Sequence, residues 1–248
     1  MYKVLDAGYV KVIETWGSDE RIVEAARMST NKGFLGWEER HGENCGCGPG
    51  DHISKCKKIN YGDGKLLRFL YEHKHFTPFE MAGIIIEVQA PIMVFREWHR
   101  HRTQSYNEMS ARYIPIPDEN YRPTVERLLI NSKTNKQAGT VKGAAQLTDD
   151  AASEWLRRLN ESYGIAENVY QLGLDAGVPK ELARLCLPVG RYSRMRASAN
   201  LRNWLGFLAL RMDEAAQWEI RQYANVVGEI IAAEFPRTWS LFEEGRKK

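Results

Sequence analysis

Apolar and polar residues alternate through Tyr9-Val10-Lys11-Val12-Ile13-Glu14, a period of two that predicts a strand with one buried face. Ser18-Asp19-Glu20 then sets a capping hydroxyl before two acids, the chemistry that opens a helix, and Ile22 to Arg27 continues it. Helical spacing returns over Lys65–Glu72. β-Branched residues crowd Gly83–Gln89 and predict a second strand. Pro91 suits the first turn of a helix running through Ile92–Trp98. Arg100 lies four residues after Arg96 and three after Glu97, so all three are expected near one face.

The second half is mostly helical in pattern. Asp150–Leu174 reads as one long helix, stopped around Gly177 and Pro179, and Glu181–Leu187 as a shorter one. Arg191–Ala199 alternates like a strand, and Trp204–Arg211 and Ala215–Phe235 read as two further helices. Between these elements, Asn31–Gly64 is rich in Gly, Lys and Cys with weak periodicity, which predicts an irregular insertion. Asp118–Asp150 is polar and reads as a mobile connection. No repeat, low-complexity tract or compositional boundary divides the chain. The expectation is α+β, a single domain over residues 1–248 with a mostly antiparallel sheet packed by long helices.

Composition narrows the function. At 248 residues, 43% hydrophobic, 27% charged and net +3, this is an ordinary globular chain. A uniformly basic nucleic-acid surface is not expected, so any positive field must come from local clustering. No apolar run approaches the length of a membrane span, and Met1-Tyr2-Lys3-Val4-Leu5-Asp6 lacks the features of a secretory signal. The cytoplasm is the expected compartment. Cys45, Cys47 and Cys56 fall in a Gly-rich stretch with His41 and His52 nearby, so zinc binding is a candidate reading. Because Cys-x-Cys is not the spacing of common zinc knuckles, an ordinary surface loop is preferred and no metal is expected. Cys186, in the apolar run Ala183–Leu187, reads as a small packed residue rather than a nucleophile.

The chemistry concentrates in three places. Arg100-His101-Arg102-Thr103-Gln104-Ser105-Tyr106-Asn107-Glu108-Met109-Ser110-Ala111-Arg112-Tyr113 sets guanidinium groups among hydroxyls and amides. The arginine fork matches phosphate and carboxylate oxygens, so the segment expects an anionic ligand. His73-Lys74-His75-Phe76-Thr77-Pro78-Phe79-Glu80 follows a helix and offers imidazoles for acid–base, metal or stacking roles. Arg184, Asn200, Arg202 and Arg211 form a C-terminal set, in which Arg211 could equally serve only as a helix cap. Motifs for a Rossmann dinucleotide fold, a phosphate loop, a zinc protease or a serine hydrolase are absent. Many arginines with few general bases suit a site that binds phosphates and leaves redox or group transfer to a cofactor.

Four ordered motifs carry a resemblance. Arg100-His101-Arg102-x-x-Ser105-x-Asn107-x-x-Ser110-x-Arg112 resembles the signature of the flavin-dependent thymidylate synthases. His75-x-Thr77-Pro78-Phe79-Glu80, Ala183-Arg184-x-x-Leu187-Pro188 and Leu210-Arg211 before Ala216-Gln217-Trp218-Glu219-Ile220 extend it. The resemblance implies conversion of dUMP to dTMP with 5,10-methylenetetrahydrofolate as carbon donor and NADPH-reduced FAD as hydride source. It also implies a homotetramer with shared active sites. Thr77, Arg100, His101, Arg102, Glu108, Asn200, Leu201, Arg202 and Gly206 fall at FAD-contacting positions, and His75 where the folate ring stacks. Around dUMP fall Glu97, Trp98, His99, Arg100, Glu108, Met109, Ser110, Ala111, Arg112, Arg184 and Arg211, with Arg211 as the catalytic residue.

Two departures from the family pattern stand out. Gly206 can offer the flavin only backbone, and Glu97 needs a cation, for which Arg96 or Arg100 is nearest in the chain. Two other readings compete. One is a related flavin- and folate-dependent enzyme acting on another pyrimidine nucleotide; the other is an RNA-binding module, disfavoured by the near-neutral charge. Neither a nucleic acid polymer nor a membrane is an expected partner.

Overall fold

The computed structural model describes residues 1–38, 40–41, 45–48, 50, 52–53, 59–60, 62–130, 139–140 and 144–246. Its strands are β1 (Tyr2–Val4), β2 (Gly8–Trp16), β3 (Arg40–His41), β4 (Ile59–Asn60), β5 (Gly83–Pro91), β6 (Ser105–Glu108) and β7 (Tyr192–Asn200). The helices are α1 (Asp19–Arg27), α2 (Asp63–Glu72), α3 (Ile92–Trp98), α4 (Val125–Leu129), α5 (Asp149–Asp175), α6 (Lys180–Ala183), α7 (Leu201–Arg211), α8 (Trp218–Glu234) and α9 (Pro236–Arg246). A five-stranded sheet runs in the order β1-β2-β5-β7-β6, and β3 and β4 form a separate two-stranded ribbon. The α+β class and antiparallel sheet expected from the pattern are present.

The chain forms two compact units. One comprises Met1–Val12, Ile86–Ala197 and Leu210–Val226; the other comprises Ile13–Ile85, Ser198–Ala209 and Val227–Lys248.

In the first unit, Ile86, Val88 and Ala90 on alternate positions of β5 are fully buried, as a period-two strand requires. Pro91 closes this strand in extended geometry (ψ 142°) and caps α3 instead of sitting inside its first turn. Trp98, the last residue of α3, is fully buried, with its indole N–H donating to Gln104 Oε1 at 3.0 Å. The long helix α5 begins at Thr148, whose hydroxyl accepts from Ala151 N, and the turn after it uses Gly177 at φ 79°. Arg191 is completely buried. It donates at 2.6 Å to both Asp118 and Glu167 and at 3.1 Å to the carbonyl of Ile116. That clamp, with buried Asn120 and Tyr121 and the short helix α4, gives Asp118–Ile130 more structure than its polar sequence predicts. Residues 131–138 and 141–143 of the expected connection lie outside the described residues.

In the second unit, Ser18 Oγ accepts from Arg21 N, the helix start read from the sequence. Asp19, the next residue, is buried and faces the far end of the chain. It accepts from Arg237 N (2.8 Å), Thr238 N (3.2 Å) and Thr238 Oγ1 (2.6 Å), so it caps α9. Asp63 is also buried and accepts from Leu35 N at 2.6 Å, Gly36 N at 3.2 Å and Arg27 Nε at 2.8 Å. Gly83 lies under Trp16: a Cβ there would meet Trp16 Cζ2 and the carbonyl of Ala199, each at 2.4 Å. Leu201 N donates to Ala82 O at 2.7 Å, and Trp204 Nε1 to Ile84 O at 3.1 Å, which fixes α7 beside the strand.

Helix α8 begins at Trp218, later than the expected Ala215. Asp213 makes the difference: its carboxylate accepts from Ala215 N at 2.8 Å and its carbonyl from Ala216 N at 3.0 Å, closing a turn first.

Candidate active site

The arginine-rich segment starts where α3 ends. Its carbonyls turn the chain, with Arg100 N donating to Glu97 O, His101 N to Trp98 O and Gln104 N to His101 O. The Tyr106 hydroxyl lies 3.1 Å from the carbonyl of Trp98 and 2.8 Å from that of His101, and burial pushes its pKa up to about 12. This polar segment contains an edge strand, β6, and Met109 N donates to Arg194 O at 2.7 Å just beyond it. Arg100, Arg102 and Glu108 are exposed, as is His99, which stacks on Phe95. Ser110 O accepts from Tyr113 N and Ile114 N, and Ser110 Oγ from Arg112 N, forming a tight turn.

Arg211, at the end of α7, reaches back to this segment. Its Nε donates to His101 Nε2 at 2.8 Å, Nη1 to Glu97 Oε2 at 3.1 Å and Nη2 to Glu97 O at 2.8 Å. It therefore caps α3 rather than its own helix. Glu97 takes its cation from here and not from Arg96 or Arg100: α3 stops at Trp98, so Arg100 lies past the helix face that spacing alone would have given it. Burial and the Arg211 charge together lower the His101 pKa to about 4. The ring is neutral near pH 7, with Nε2 as acceptor.

A second cluster in the same unit joins Arg112 and Arg184. Arg112 Nε donates to Glu181 Oε2 at 3.0 Å, and Arg184 Nε to Glu181 O at 3.3 Å. Trp98 and Ala111 are buried, so Trp98 contributes packing and Ala111 mainly backbone.

The second unit gathers three other expected residues. His75, Thr77 and Arg202 line one groove of about 620 Å³, together with Ser29, Lys74 and Phe76. Arg202 stands in the first turn of α7 and is paired with Glu80, and Asn200 Oδ1 accepts from Asn203 N at 3.0 Å. An eleven-residue helix start beside an arginine favours anionic oxygens. Cations, a helix end and flat rings in one groove fit part of a flavin dinucleotide. Leu201 is buried, while Gly206 is exposed, and a Cβ there would meet nothing within 4 Å. No close approach therefore demands glycine at 206.

The model of the thymidylate synthase complementing protein family matches residues 11–237. The chain belongs to this family. It is 38% identical over 242 residues to the flavin-dependent thymidylate synthase of a Thermus thermophilus strain, covering 97% of this chain and 77% of that one. Against the protein of the same name from Thermosipho melanesiensis it is 34% identical, covering 97% and 93%. Among solved structures, a UMP/dUMP methylase from Streptomyces cacaoi bound with 5-Br UMP is similar, with a TM-score of 0.77 at 28% identity, covering 99% and 98% of the two chains. The chain is an enzyme of this type.

Three residues in these clusters were not singled out from the sequence. Glu181 is one, because only folding brings it to Arg112. Arg194 lies on alternating β7, with its guanidinium 3.8 Å from Met109 Sδ. Lys74 was visible between two histidines, and its positive φ of 59°, uncommon outside glycine, marks the turn that lines the groove. Cys186 is half-buried and donates to the carbonyls of Ala166 and Ala183, a structural role. Cys45 and Cys47 fall among the described residues, and Cys56 lies outside them. No helix among the described residues is long and apolar enough to cross a membrane.

Proposed function

We propose that this chain catalyses the reductive methylation of dUMP to dTMP, using 5,10-methylenetetrahydrofolate and NADPH with FAD as cofactor. The observation that carries the reading is the fixed guanidinium of Arg211. Three of its five N–H donors are committed to His101 and Glu97 among the described residues, and two remain to receive a ligand. Guanidinium does not titrate near neutrality, so it acts by stabilising negative charge that develops around N3 and O2 of the uracil ring. Neutral His101 holds the fork from behind without adding a competing positive charge.

Arg112 supplies a charged fork, and Ser110 and Ala111 the backbone N–H groups, for the nucleotide phosphate, with Arg184 alongside. His75 offers an exposed ring for folate stacking, and Thr77, Arg202, Asn200 and the start of α7 hold the flavin dinucleotide. When bound and reduced by NADPH, the flavin would supply the hydride and be reoxidised, so no thiolate of this chain is required to add to the pyrimidine.

The homotetramer belongs to the same proposal, as do the single-domain organisation with an insertion at 31–64 and the cytoplasmic setting. The surface of α5 supports assembly: Ile165, Val169 and Leu172 follow helical spacing and are 66%, 51% and 68% exposed.

Purified protein should be yellow and should consume dUMP only when folate donor and NADPH are both present. Colourless protein that takes up no flavin on reconstitution would overturn the reading. UMP belongs in the same assay, since the similar methylase is named for both nucleotides, and product mass separates the two.

A further inference from the structure

The segment between α1 and α2 contains a cluster that thymidylate synthesis does not use. His41, Cys45 and Cys47 each turn a potential ligand atom toward a common point, with all three atoms within 4.8 Å of one another. All three residues are half-buried, and both thiols are reduced. From this geometry we propose that they bind one Zn²⁺ as a structural clip of the insertion.

Three features support a built site. Imidazole nitrogen and two thiolates are donors that zinc prefers. In a tetrahedral zinc site, donor atoms sit about 3.5–3.8 Å apart, so the observed cluster needs to close by only about 1 Å, within the reach of side-chain rotation. The backbone is also shaped for it. Gly46 adopts φ 74°, left-handed geometry that favours glycine, and the turn carries Cys47 N back to Cys45 Sγ at 3.4 Å. A backbone N–H aimed at a sulfur ligand is the kind of outer-shell hydrogen bond that orients it. Nothing lies within 4 Å of a Cβ built at Gly46, so its backbone conformation, not crowding, is what calls for glycine.

The surroundings give such a clip a purpose. His41 lies on β3, paired opposite Ile59 of β4, in a ribbon of only two residues per strand. A ribbon that short has little stability of its own in water, and metal binding couples directly to folding in segments of this kind. A tetrahedral ion takes a fourth donor, which water can supply.

The test uses the full-length protein, purified without chelator, and reads metal content and cobalt spectra. About one zinc per chain is expected, and Co²⁺ exchanged into it should give the near-ultraviolet charge-transfer absorption of thiolate ligation. Cys45→Ser and Cys47→Ser should each weaken that band markedly and lower metal affinity by on the order of a hundredfold or more. Gly46→Ala should weaken binding with every ligand still present. Flavin absorbance and dUMP turnover of the cysteine variants report separately on the catalytic reading, and both are expected to persist. Metal-free protein that shows no thiolate–cobalt band would overturn the proposal, as would an unchanged band in Cys45→Ser.

Discussion

Arg211 Nε donates to His101 Nε2 at 2.8 Å across 110 positions of sequence, and only a neutral imidazole can accept that bond. The arginine is thereby held by a partner whose protonation state matters.

His101 should titrate near pH 4 instead of its ordinary value of 6.5. Because the folded pKa is the lower one, the unfolded chain takes up its proton first as pH falls. This group's contribution is therefore intact above about pH 6.5 and is lost progressively down to about pH 4. Histidine proton resonances followed by NMR check this in the ligand-free protein. A midpoint at 6 or above would mean that the bond to Arg211 does not form in solution.

Replacing Arg211 with Ala should leave folding and flavin absorbance intact while lowering turnover by on the order of a hundredfold. The substitution also removes the donor to Glu97 O, so Arg211→Lys serves as a control that keeps a charge but loses the planar fork. Near-normal turnover in both would reduce Arg211 to a cap for α3.

Glu181 competes with the nucleotide phosphate for Arg112. Their ion pair is solvent-exposed, 62% for arginine and 52% for glutamate, so it contributes at most about 1 kcal/mol. A phosphate dianion making charge-assisted contacts outweighs that. Glu181→Gln should tighten dUMP binding by up to about fivefold, the equivalent of about 1 kcal/mol. Arg112→Ala should weaken it by tenfold or more. Calorimetric titration with dUMP measures both, and equal affinity in all three proteins would place the phosphate elsewhere.

Arg191 is a fully buried charge. Its removal strands Glu167, only 15% exposed, without its cation. Arg191→Ala should cost about 3–5 kcal/mol in chemical denaturation. Arg191→Met with Glu167→Gln should recover much of the loss. A cost under 1 kcal/mol for the single change would show that water readily enters the clamp.

Much of this was legible in the chain wherever structure is local. Helix α5 is legible in the periodic pattern of Asp150–Leu174 and its stop at Gly177, and β5 in the β-branched run of Gly83–Gln89. β6 was hidden because Ser105-Tyr106-Asn107-Glu108 is polar and mostly exposed, without an alternating apolar face. Helix α9 was hidden for another reason: its capping group is Asp19, 218 positions away from Arg237. The site divides in the same way. Its arginines and histidines could be read as a set, but the pairings of Arg211 with Glu97 and of Arg112 with Glu181 exist only after folding.

Asp19 constrains how this protein can be handled. A deletion reaching Arg237 and Thr238 would remove all three donors from a carboxylate that is 4% exposed. Damage would then appear at α1, at the opposite end of the polypeptide. Shortened versions should therefore keep those two residues.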